Sequence, residues 1–205
     1  SDIPEDLNSE NFAITNYDYG RTGELVQCTQ CGFIQCTDLD QVIHFYEDLQ
    51  DEEYENTRKE RKLQERKVMD KIAHFKQSGR LLDIGAGSGI MVEAALEMGY
   101  EAEGVEPSKW LHELAQAHGL PIHKGVFPHP ALKGDYDIIA CIDVIEHVSN
   151  PEALLQAIGQ QLKKDGILVI VTPDVRSFLA RVLKFKWWHF RVAHIGYFNK
   201  RTLNM

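Results

Sequence analysis

The 205-residue chain is short of basic residues and has no long hydrophobic run. Its 22 lysines and arginines stand against 31 aspartates and glutamates, which gives a formal net charge of −9. Because nucleic-acid binding depends on a basic face, a nucleic-acid partner is not expected. No apolar run approaches the ~20 residues of a membrane helix, so no integral membrane contact is expected. The first residues also lack the basic and apolar leader of a secreted protein, and we predict a soluble, cytoplasmic protein.

Cysteine is scarce, with four residues, and the chain has a single Cys-x-x-Cys pair at Cys28 and Cys31. Structural zinc takes four ligands, usually from two such pairs, and no second pair is present. Cys36 and His44 are nearby, but their spacing fits no common zinc pattern. We therefore interpret residues 1–50 as an irregular segment like a degenerate or truncated zinc ribbon, and we predict no bound metal. The low cysteine content also favours a reducing compartment over a disulfide scaffold.

From residue 79 onward, apolar segments of strand length alternate with segments of helical pattern. Strands are predicted at residues 80–84, 102–105, 120–124, 136–142 and 167–172. Helices are predicted at residues 90–98, 108–118 and 151–162. This alternation is typical of βαβ units, and continuous apolar strands are typical of a parallel sheet covered on both faces. The predicted fold class is α/β, a doubly wound, mostly parallel sheet with helices on both faces.

A glycine-rich turn, Asp83-Ile84-Gly85-Ala86-Gly87-Ser88-Gly89, joins the first of these strands to the first helix. A strand, a glycine turn and a helix in this order bring bare backbone against a nucleotide-like ligand. The dinucleotide-binding pattern needs glycine at the sixth position of the turn, where this chain has Ile90. Asp83 would repel a pyrophosphate and would favour a ligand with a cationic group. Its alternative role is to cap the helix that follows.

A second carboxylate, Glu106, ends the next strand about 20 residues after the first glycine. A carboxylate placed there accepts hydrogen bonds from both hydroxyls of a ribose, and the alternative is a solvated strand end. The fourth strand runs into Asp143 and His147, on the sheet edge where ligands bind in open α/β folds. His147 is either a general base or a hydrogen-bonded loop histidine, and Glu146 is expected to be structural.

In three segments the chain resembles the class I S-adenosylmethionine-dependent methyltransferases of the small-molecule type. The segments are the acid-x-Gly-x-Gly-x-Gly turn, the strand end Val105-Glu106-Pro107-Ser108, and the block Tyr136-Asp137-Ile138-Ile139 … Ile145-Glu146-His147-Val148. The resemblance spans roughly residues 81–173. It implies a Rossmann-like methyltransferase sheet, and the antiparallel strand pair that ends this sheet in the family is not found before Met205. The final strand hairpin is therefore expected to be missing from this sequence.

The resemblance also implies S-adenosylmethionine as the cofactor, S-adenosylhomocysteine as its product, and a role for each matching residue. The methionine half would lie against Asp83, Gly85, Ala86 and Gly87, and the ribose and adenosine against Glu106, Pro107 and Ser108. The adenine would lie between Gly125, Val126 and Phe127, and the sulfonium beside Ile142, Asp143 and His147. No residue is assigned as catalytic, because an activated sulfonium requires neither a metal nor a protein nucleophile.

Two further segments follow and precede the cofactor-binding core at residues 79–173. Residues 51–78 have a helical pattern and are predicted to fold over the cofactor as a lid, with help from Tyr46 or Tyr54. The helical pattern includes an apolar stripe of Leu63, Val68, Met69, Ile72 and Phe75. Residues 174–205 are basic and aromatic, and the resemblance implies that they roof an acceptor pocket suited to an anionic molecule. A membrane-surface role is the lesser alternative for this segment.

The predicted function is methyl transfer from S-adenosylmethionine to an oxygen or nitrogen atom of a small-molecule acceptor. One alternative is a regulatory module that binds the cofactor without turnover. A less favoured alternative is an NAD-dependent oxidoreductase, because Ile90 and Asp83 both depart from what a dinucleotide needs.

Overall fold

The computed structural model describes residues 7–39 and 42–205. The strands are β1 (Leu25–Gln27), β2 (Ile34–Cys36), β3 (Arg80–Ile84), β4 (Glu101–Glu106), β5 (Ile122–Lys124), β6 (Tyr136–Ile142), β7 (Leu162–Val171) and β8 (Gly196–Tyr197). The α-helices are α1 (Ile43–Glu47), α2 (Glu52–Asn56), α3 (Arg58–Ala73), α4 (Ile90–Glu97), α5 (Lys109–Ala117), α6 (Pro151–Gln161), α7 (Phe178–Leu183) and α8 (Lys200–Leu203). Short 3-10 turns lie at Ser9–Phe12, Ile145–His147 and Lys184–Lys186. None of these helices combines the length and the apolar composition needed to cross a bilayer.

The main sheet has the strand order β5-β4-β3-β6-β7, and every neighbouring pair in it is parallel. The chain builds one half of the sheet outward from β3 and then returns to add β6 and β7 on the other side of β3. The predicted doubly wound, parallel α/β sheet is confirmed. The change of direction between β3 and β6 creates a crevice at the carboxyl ends of the strands, which is where such sheets bind ligands.

Helices cover both faces of the sheet because alternate strand residues point to opposite sides. Leu81 on β3 and Ile138 on β6 share an apolar cluster with residues of α3 and α4. Their neighbours Leu82 and Ile139 share a second cluster with residues of α6. All four side chains are fully buried, and burial of each contributes ~1.5–3 kcal/mol to stability. The strands are therefore apolar on both faces, which agrees with the continuous apolar runs in the sequence.

Helix starts agree closely with the sequence pattern because local capping groups define them. The Ser108 hydroxyl accepts a hydrogen bond from the Leu111 N–H at 3.0 Å and begins α5. The Asn150 side chain accepts from the Ala153 N–H at 3.0 Å, and Pro151 occupies the first turn of α6.

Strand β7 is longer than predicted because it begins at Leu162 rather than at residue 167. Leu162 pairs with Tyr136, the register then shifts, and Ile167 pairs with Ile138. The sequence does not indicate this earlier start, because the polar stretch at residues 163–166 has neither the apolar nor the alternating pattern of a strand.

The apolar stripe predicted on α3 is only partly buried. Met69 and Ile72 are buried at 0% and 2% exposure, whereas Leu63 and Phe75 are 63% and 77% exposed. The first half of α3 contacts α4 through charged groups, among them the Lys62 ammonium at 2.6 Å from Glu93. The predicted stripe fails at these two positions: ion pairs with α4 orient the first half of α3, which contains Leu63, and Phe75 lies beyond the end of α3 at Ala73.

A small antiparallel sheet joins the two ends of the chain in the order β1-β2-β8. Cys28 and Cys31 lie in the tight turn between β1 and β2, where the Gly32 N–H donates to the Cys28 carbonyl at 2.9 Å. The backbone N–H groups of Cys31 and of the preceding residue lower the pKa of the exposed Cys28 thiol. The turn has the local form of half a zinc knuckle, and the predicted absence of metal from this segment stays a prediction.

Candidate active site

A cavity of about 970 Å³ opens at the carboxyl ends of β3, β4 and β6. Its size matches the upper range of small-molecule sites, which is ~300–1,000 Å³. The floor is formed by the strand ends and the glycine turn, and the walls by α1–α3 and the segment after β7. The sequence therefore brings its glycine turn, its strand-end carboxylates and its C-terminal segment to one place.

All but one of the residues predicted to bind a cofactor line this cavity. Those lining it are Asp83, Gly85, Ala86, Gly87, Glu106, Pro107, Gly125, Val126, Phe127, Ile142, Asp143 and His147. The exception is Ser108, whose fully buried hydroxyl donates to the Leu49 carbonyl at 2.8 Å and caps α5. Its side chain is committed to structure, while its backbone N–H still contributes to the site through Glu106. The binding roles themselves stay predictions.

The glycine turn presents bare backbone to the cavity. Gly87 has a φ of 56°, in the left-handed region that favours glycine. A Cβ atom added to Gly87 would lie 2.7 Å from the Tyr54 hydroxyl, which is closer than such contacts allow. The N–H groups of Gly85 and Ala86 both donate to the Val105 carbonyl at 3.0 Å, which fixes the turn to β4. A side chain at position 87 would collide with Tyr54, so the turn favours glycine here and leaves its backbone facing the cavity.

Glu106 links the glycine turn to the start of α5. Its Oε2 accepts from the Gly87 N–H at 2.8 Å, and its Oε1 accepts from the Ser108 N–H at 2.7 Å. The residue is 5% exposed, and its burial raises the pKa of the carboxyl to about 7, although the two N–H donors lower it. The carboxyl is thus rigidly held at the end of β4, and each oxygen keeps a lone pair for a ligand hydroxyl.

Further carboxyl groups crowd the same cavity with little positive charge to balance them. Burial, and then the charges of Glu65 and Glu106, raise the pKa of Asp83 well above its ordinary value. Burial and the nearby Asp143 raise the pKa of Glu65 to about 7, and its Oε2 is buried without a hydrogen-bond partner in the described residues. The guanidinium of Arg61, 4.4 Å from the ring centre of Tyr54, offsets part of this charge. A cationic ligand would relieve the remaining repulsion.

Glu65 and Arg61 were missed from the sequence. They lie on α3, whose charged residues have the pattern of a solvated helix face, so no local signal distinguishes them from surface charges. Only the packing of α3 over the strand ends brings them to the cavity.

Asp143 follows β6 with a φ of 50°, which is uncommon for a residue other than glycine. Its N–H donates to the Val171 carbonyl at 2.8 Å, and burial raises the pKa of its carboxyl. Strained backbone of this kind costs ~1–3 kcal/mol and concentrates at functional sites.

His147 is held in one tautomer at the far end of the cavity. Its Nδ1 lies 2.7 Å from the Ala193 carbonyl oxygen and 2.7 Å from the Tyr46 hydroxyl. A carbonyl only accepts, so Nδ1 carries the proton of the neutral ring and Nε2 keeps its lone pair. Burial lowers the pKa of His147 to about 4, so the ring is neutral and its Nε2 is a free acceptor.

Glu146, His147 and His194 bring three ligand-type atoms within 4.8 Å of one another. Within residues 7–39 and 42–205 this is the group that could hold a divalent cation, and the absence of a metal stays a prediction. The Thr172 hydroxyl donates to Glu146 Oε2 at 3.0 Å, while Oε1 is buried and has no partner among the residues that the structure describes. Burial and Asp143 raise the pKa of Glu146 to about 8. The expectation that Glu146 is structural stays a prediction.

Arg191 brings positive charge from the C-terminal segment to the cavity wall. Its guanidinium donates to the carbonyls of Ala13 and Ile14, which ties this segment to the N-terminal one. His189 lines the cavity beside it.

A family comparison identifies the chain. The family model described as "Methyltransferase domain" matches residues 54–205, which is most of the chain. The chain belongs to the methyltransferase-domain family. The predicted family is thereby confirmed, and the matched region contains the glycine turn, both strand-end carboxylates and the C-terminal segment.

Curated relatives of this methyltransferase domain match about half of it. The chain is 32% identical over 113 residues to the mitochondrial ubiquinone biosynthesis O-methyltransferase of Schizosaccharomyces pombe, covering 51% of this chain and 41% of that protein. It is 28% identical over 125 residues to the ubiquinone biosynthesis O-methyltransferase of Bordetella avium, covering 56% and 52%. The chain thus spans about half the length of the curated relatives it matches.

Solved structures agree with the fold. A methyltransferase of Thermotoga maritima, described as S-adenosylmethionine-dependent and a possible histamine N-methyltransferase, has a TM-score of 0.58 and 25% identity, covering 75% of this chain and 72% of that one. A second such protein, from Archaeoglobus fulgidus, has a TM-score of 0.59 at 21% identity, covering 70% and 65%. The sheet is therefore the Rossmann-like sheet of class I methyltransferases.

Proposed function

We propose that this domain transfers a methyl group from S-adenosylmethionine to an oxygen atom of a small-molecule acceptor. The observation that carries the proposal is the acid-lined cavity at the end of β3 and β4, with Glu106 pinned between the glycine turn and α5. Such a cavity favours a cationic nucleoside over the anionic pyrophosphate of a dinucleotide. The oxygen acceptor is favoured by the names of the curated relatives, both O-methyltransferases.

The residues present fit this cofactor. Gly87 presents backbone without a side chain to the cavity, and the buried Oε2 of Glu65 has no hydrogen-bond partner among the described residues. Glu106 would hold the ribose hydroxyls, and Asp83 with the glycine turn would hold the methionine part. When bound, the cofactor supplies an activated, electrophilic methyl group.

The remaining task of the protein is to orient the acceptor, exclude water and take up its proton. Orientation of this kind supplies up to ~7–11 kcal/mol of the barrier lowering. We propose that His147 Nε2 accepts the proton of the acceptor hydroxyl, since Ala193 holds the tautomer that leaves this atom free. Glu146, within 4.8 Å, would stabilise the imidazolium in its ionised form, which its raised pKa of about 8 makes available as the pH rises above neutral. Arg191 on the cavity wall would pair with an acidic group of an anionic acceptor.

Turnover tests the proposal. The protein is incubated with S-adenosylmethionine and a panel of small phenols, carboxylic acids and amines, and S-adenosylhomocysteine is quantified by mass spectrometry. We expect acceptor-dependent product with a phenol or other hydroxyl compound. Cofactor binding without product across the panel would instead support the regulatory module, and product with amines alone would move the acceptor atom to nitrogen.

The described cysteines are all free, which supports our proposal of a reducing, cytoplasmic compartment.

Cofactor affinity is expected to rise about tenfold between pH 6 and pH 8. Glu65 and Glu106 have pKa values near 7 in the unbound fold, and a cation favours their ionised forms. At pH 6 the cofactor must displace a proton, whereas at pH 8 it binds carboxylates that are already ionised. Calorimetric titrations of S-adenosylmethionine at both pH values measure the effect. S-adenosylhomocysteine, which shares the amino and carboxyl groups but lacks the sulfonium charge, is the control and should respond less.

The same groups set the pH dependence of folding. Their pKa values in the fold lie above the ordinary 4.5, so the stability linked to them is present below pH 4.5 and is lost as the pH rises through about 7. The lowered pKa values of His147 and His189, about 4, give the opposite trend below pH 6.5, so the unfolding temperature of the unbound protein should fall as the pH rises from about 6.5 to 8, and the cofactor should restore stability most at pH 8.

A further inference from the structure

The segment at residues 176–188 exposes apolar and basic side chains side by side. We call it the basic–aromatic patch. Its exposed apolar members are Phe178, Leu179, Val182, Phe185 and Trp188. Its exposed basic members are Arg176, Arg181, Lys184 and Lys186. Single apolar residues are common on protein surfaces, but a run this dense marks an interaction surface.

The patch is attached to the fold by its inner face. Ala180 on α7 and Trp187 are buried at 4% and 3% exposure, while Phe178 and Phe185 are 78% and 63% exposed. Between Ala180 and Trp187 the chain turns at Lys184, whose φ of 52° is a strained conformation for a residue that is not glycine. The apolar side chains are thus presented outward by a fixed backbone.

The charge of the patch is opposite to that of the whole chain. The chain has a net charge of −9, whereas Asp174 is the sole acid in residues 174–205. In the part of the chain that the structure describes, the ion pairs involve none of the four basic residues of the patch. Their charges are therefore available to an anionic surface within a Debye length.

We propose that the basic–aromatic patch docks on an anionic lipid bilayer. Its apolar side chains would enter the boundary between headgroups and acyl chains, and its lysines and arginines would lie at the lipid phosphates, as in amphipathic interfacial segments. A folded protein partner would present acidic side chains at fixed positions. A fluid anionic bilayer can instead adapt to side chains that protrude from a short helix and a turn. The proposal does not depend on methyl transfer.

Neighbouring groups favour this surface. Tyr17 and Tyr19 are 81% and 51% exposed, and tyrosine is enriched at membrane interfaces. They lie within three residues of Gly20, where an added Cβ would be 3.0 Å from the Phe185 carbonyl oxygen of the patch. Residues His189 and Arg191, which directly follow the patch, line the cavity. Docking would therefore place the cavity mouth beside the bilayer.

Vesicle co-sedimentation tests the proposal. The protein is spun with vesicles of phosphatidylcholine alone and of phosphatidylcholine with phosphatidylglycerol, at low and at physiological salt. We expect binding to the anionic vesicles that weakens with salt, and little binding to the neutral ones. Phe185→Ser should lower the partition coefficient about tenfold or more, and Lys184→Glu with Lys186→Glu at least about fivefold.

Matched variants separate the patch from general effects. Phe75→Ser changes an equally exposed phenylalanine on another surface, and Lys67→Glu reverses an exposed charge on α3; both should bind like the parent protein. Brominated lipids should quench the emission of Trp188, and a Trp188→Phe variant should lose that quenching. Circular dichroism checks that each variant is folded.

Three outcomes would overturn the proposal. The first is the absence of co-sedimentation with anionic vesicles at low salt. The second is loss of binding in the Phe75 and Lys67 variants equal to that in the patch variants. The third is a dimer in sedimentation equilibrium that Phe185→Ser dissociates while vesicles bind neither form, which would assign the patch to a second copy of the chain.

Discussion

Gly87→Val is expected to abolish measurable binding of S-adenosylhomocysteine. Gly87 has a φ of 56°, where a β-branched side chain is strained, and its Cβ would meet the Tyr54 hydroxyl at 2.7 Å. The added atoms would also occupy the bare-backbone surface against which the cofactor is proposed to lie. Isothermal titration calorimetry should show no heat of binding, and the thermal shift seen with the parent protein should disappear.

A second glycine provides the matched control. Gly99 has a φ of 87°, and a Cβ at that position would meet nothing within 4 Å. Gly99→Val therefore introduces a similar backbone strain, ~1–2 kcal/mol, at the end of α4 and away from the cavity. It should lower the unfolding temperature while leaving cofactor affinity intact. If Gly87→Val bound the cofactor as tightly as Gly99→Val, the glycine turn would not be the cofactor site.

His147→Ala is expected to lower kcat by about 10²–10⁴, a larger effect than any loss of cofactor affinity from its predicted place beside the sulfonium. The variant removes the Nε2 atom that we propose takes up the acceptor proton. The parent protein should show a kcat that falls as the pH drops and the ring is protonated, and this limb of the pH profile should vanish in the variant. Turnover and calorimetry on the same preparations separate the loss of chemistry from any loss of binding.

Two other substitutions and a chelator serve as controls for His147→Ala. His118→Ala changes a half-exposed histidine at the end of α5 and should leave kcat unchanged. Tyr46→Phe removes the hydroxyl at 2.7 Å from Nδ1 but keeps the Ala193 carbonyl, so it should cost much less than His147→Ala. A chelator should leave the activity of the parent protein intact. Activity that chelation removed and a divalent cation restored would assign Glu146, His147 and His194 to a metal instead.

The parts of the site that the sequence predicts are those fixed by local rules. A parallel sheet places the carboxyl ends of its strands on one edge, so Asp83 and Glu106 could be assigned to one cavity from strand positions alone. The helix starts at Ser108 and Asn150 follow from capping groups within a few residues. In these regions the local pattern and the tertiary fold agree.

The parts that the sequence does not predict depend on contacts between distant segments. Glu65 and Arg61 resemble surface charges until α3 packs across the strand ends. Leu63 was predicted as part of an apolar stripe, yet it is 63% exposed where ion pairs join α3 to α4. The periodicity of the sequence gives the spacing of apolar residues along a helix. It does not show which polar face of that helix will pack against a neighbouring helix.

Calorimetric titration of S-adenosylhomocysteine into the parent protein and into Glu106→Gln tests the central claim most directly. An amide replaces one of the two Glu106 oxygens, which we propose accept the ribose hydroxyls and which accept N–H groups at 2.7 and 2.8 Å, by a donor, so affinity should fall by ~1–3 kcal/mol, about 5- to 150-fold. Glu101→Gln, an exposed substitution on the same strand, should titrate like the parent with one site per chain. The absence of heat and of any thermal shift in the parent protein, or equal affinity in Glu106→Gln, would contradict the claim that this acid-lined cavity binds the sulfur nucleoside.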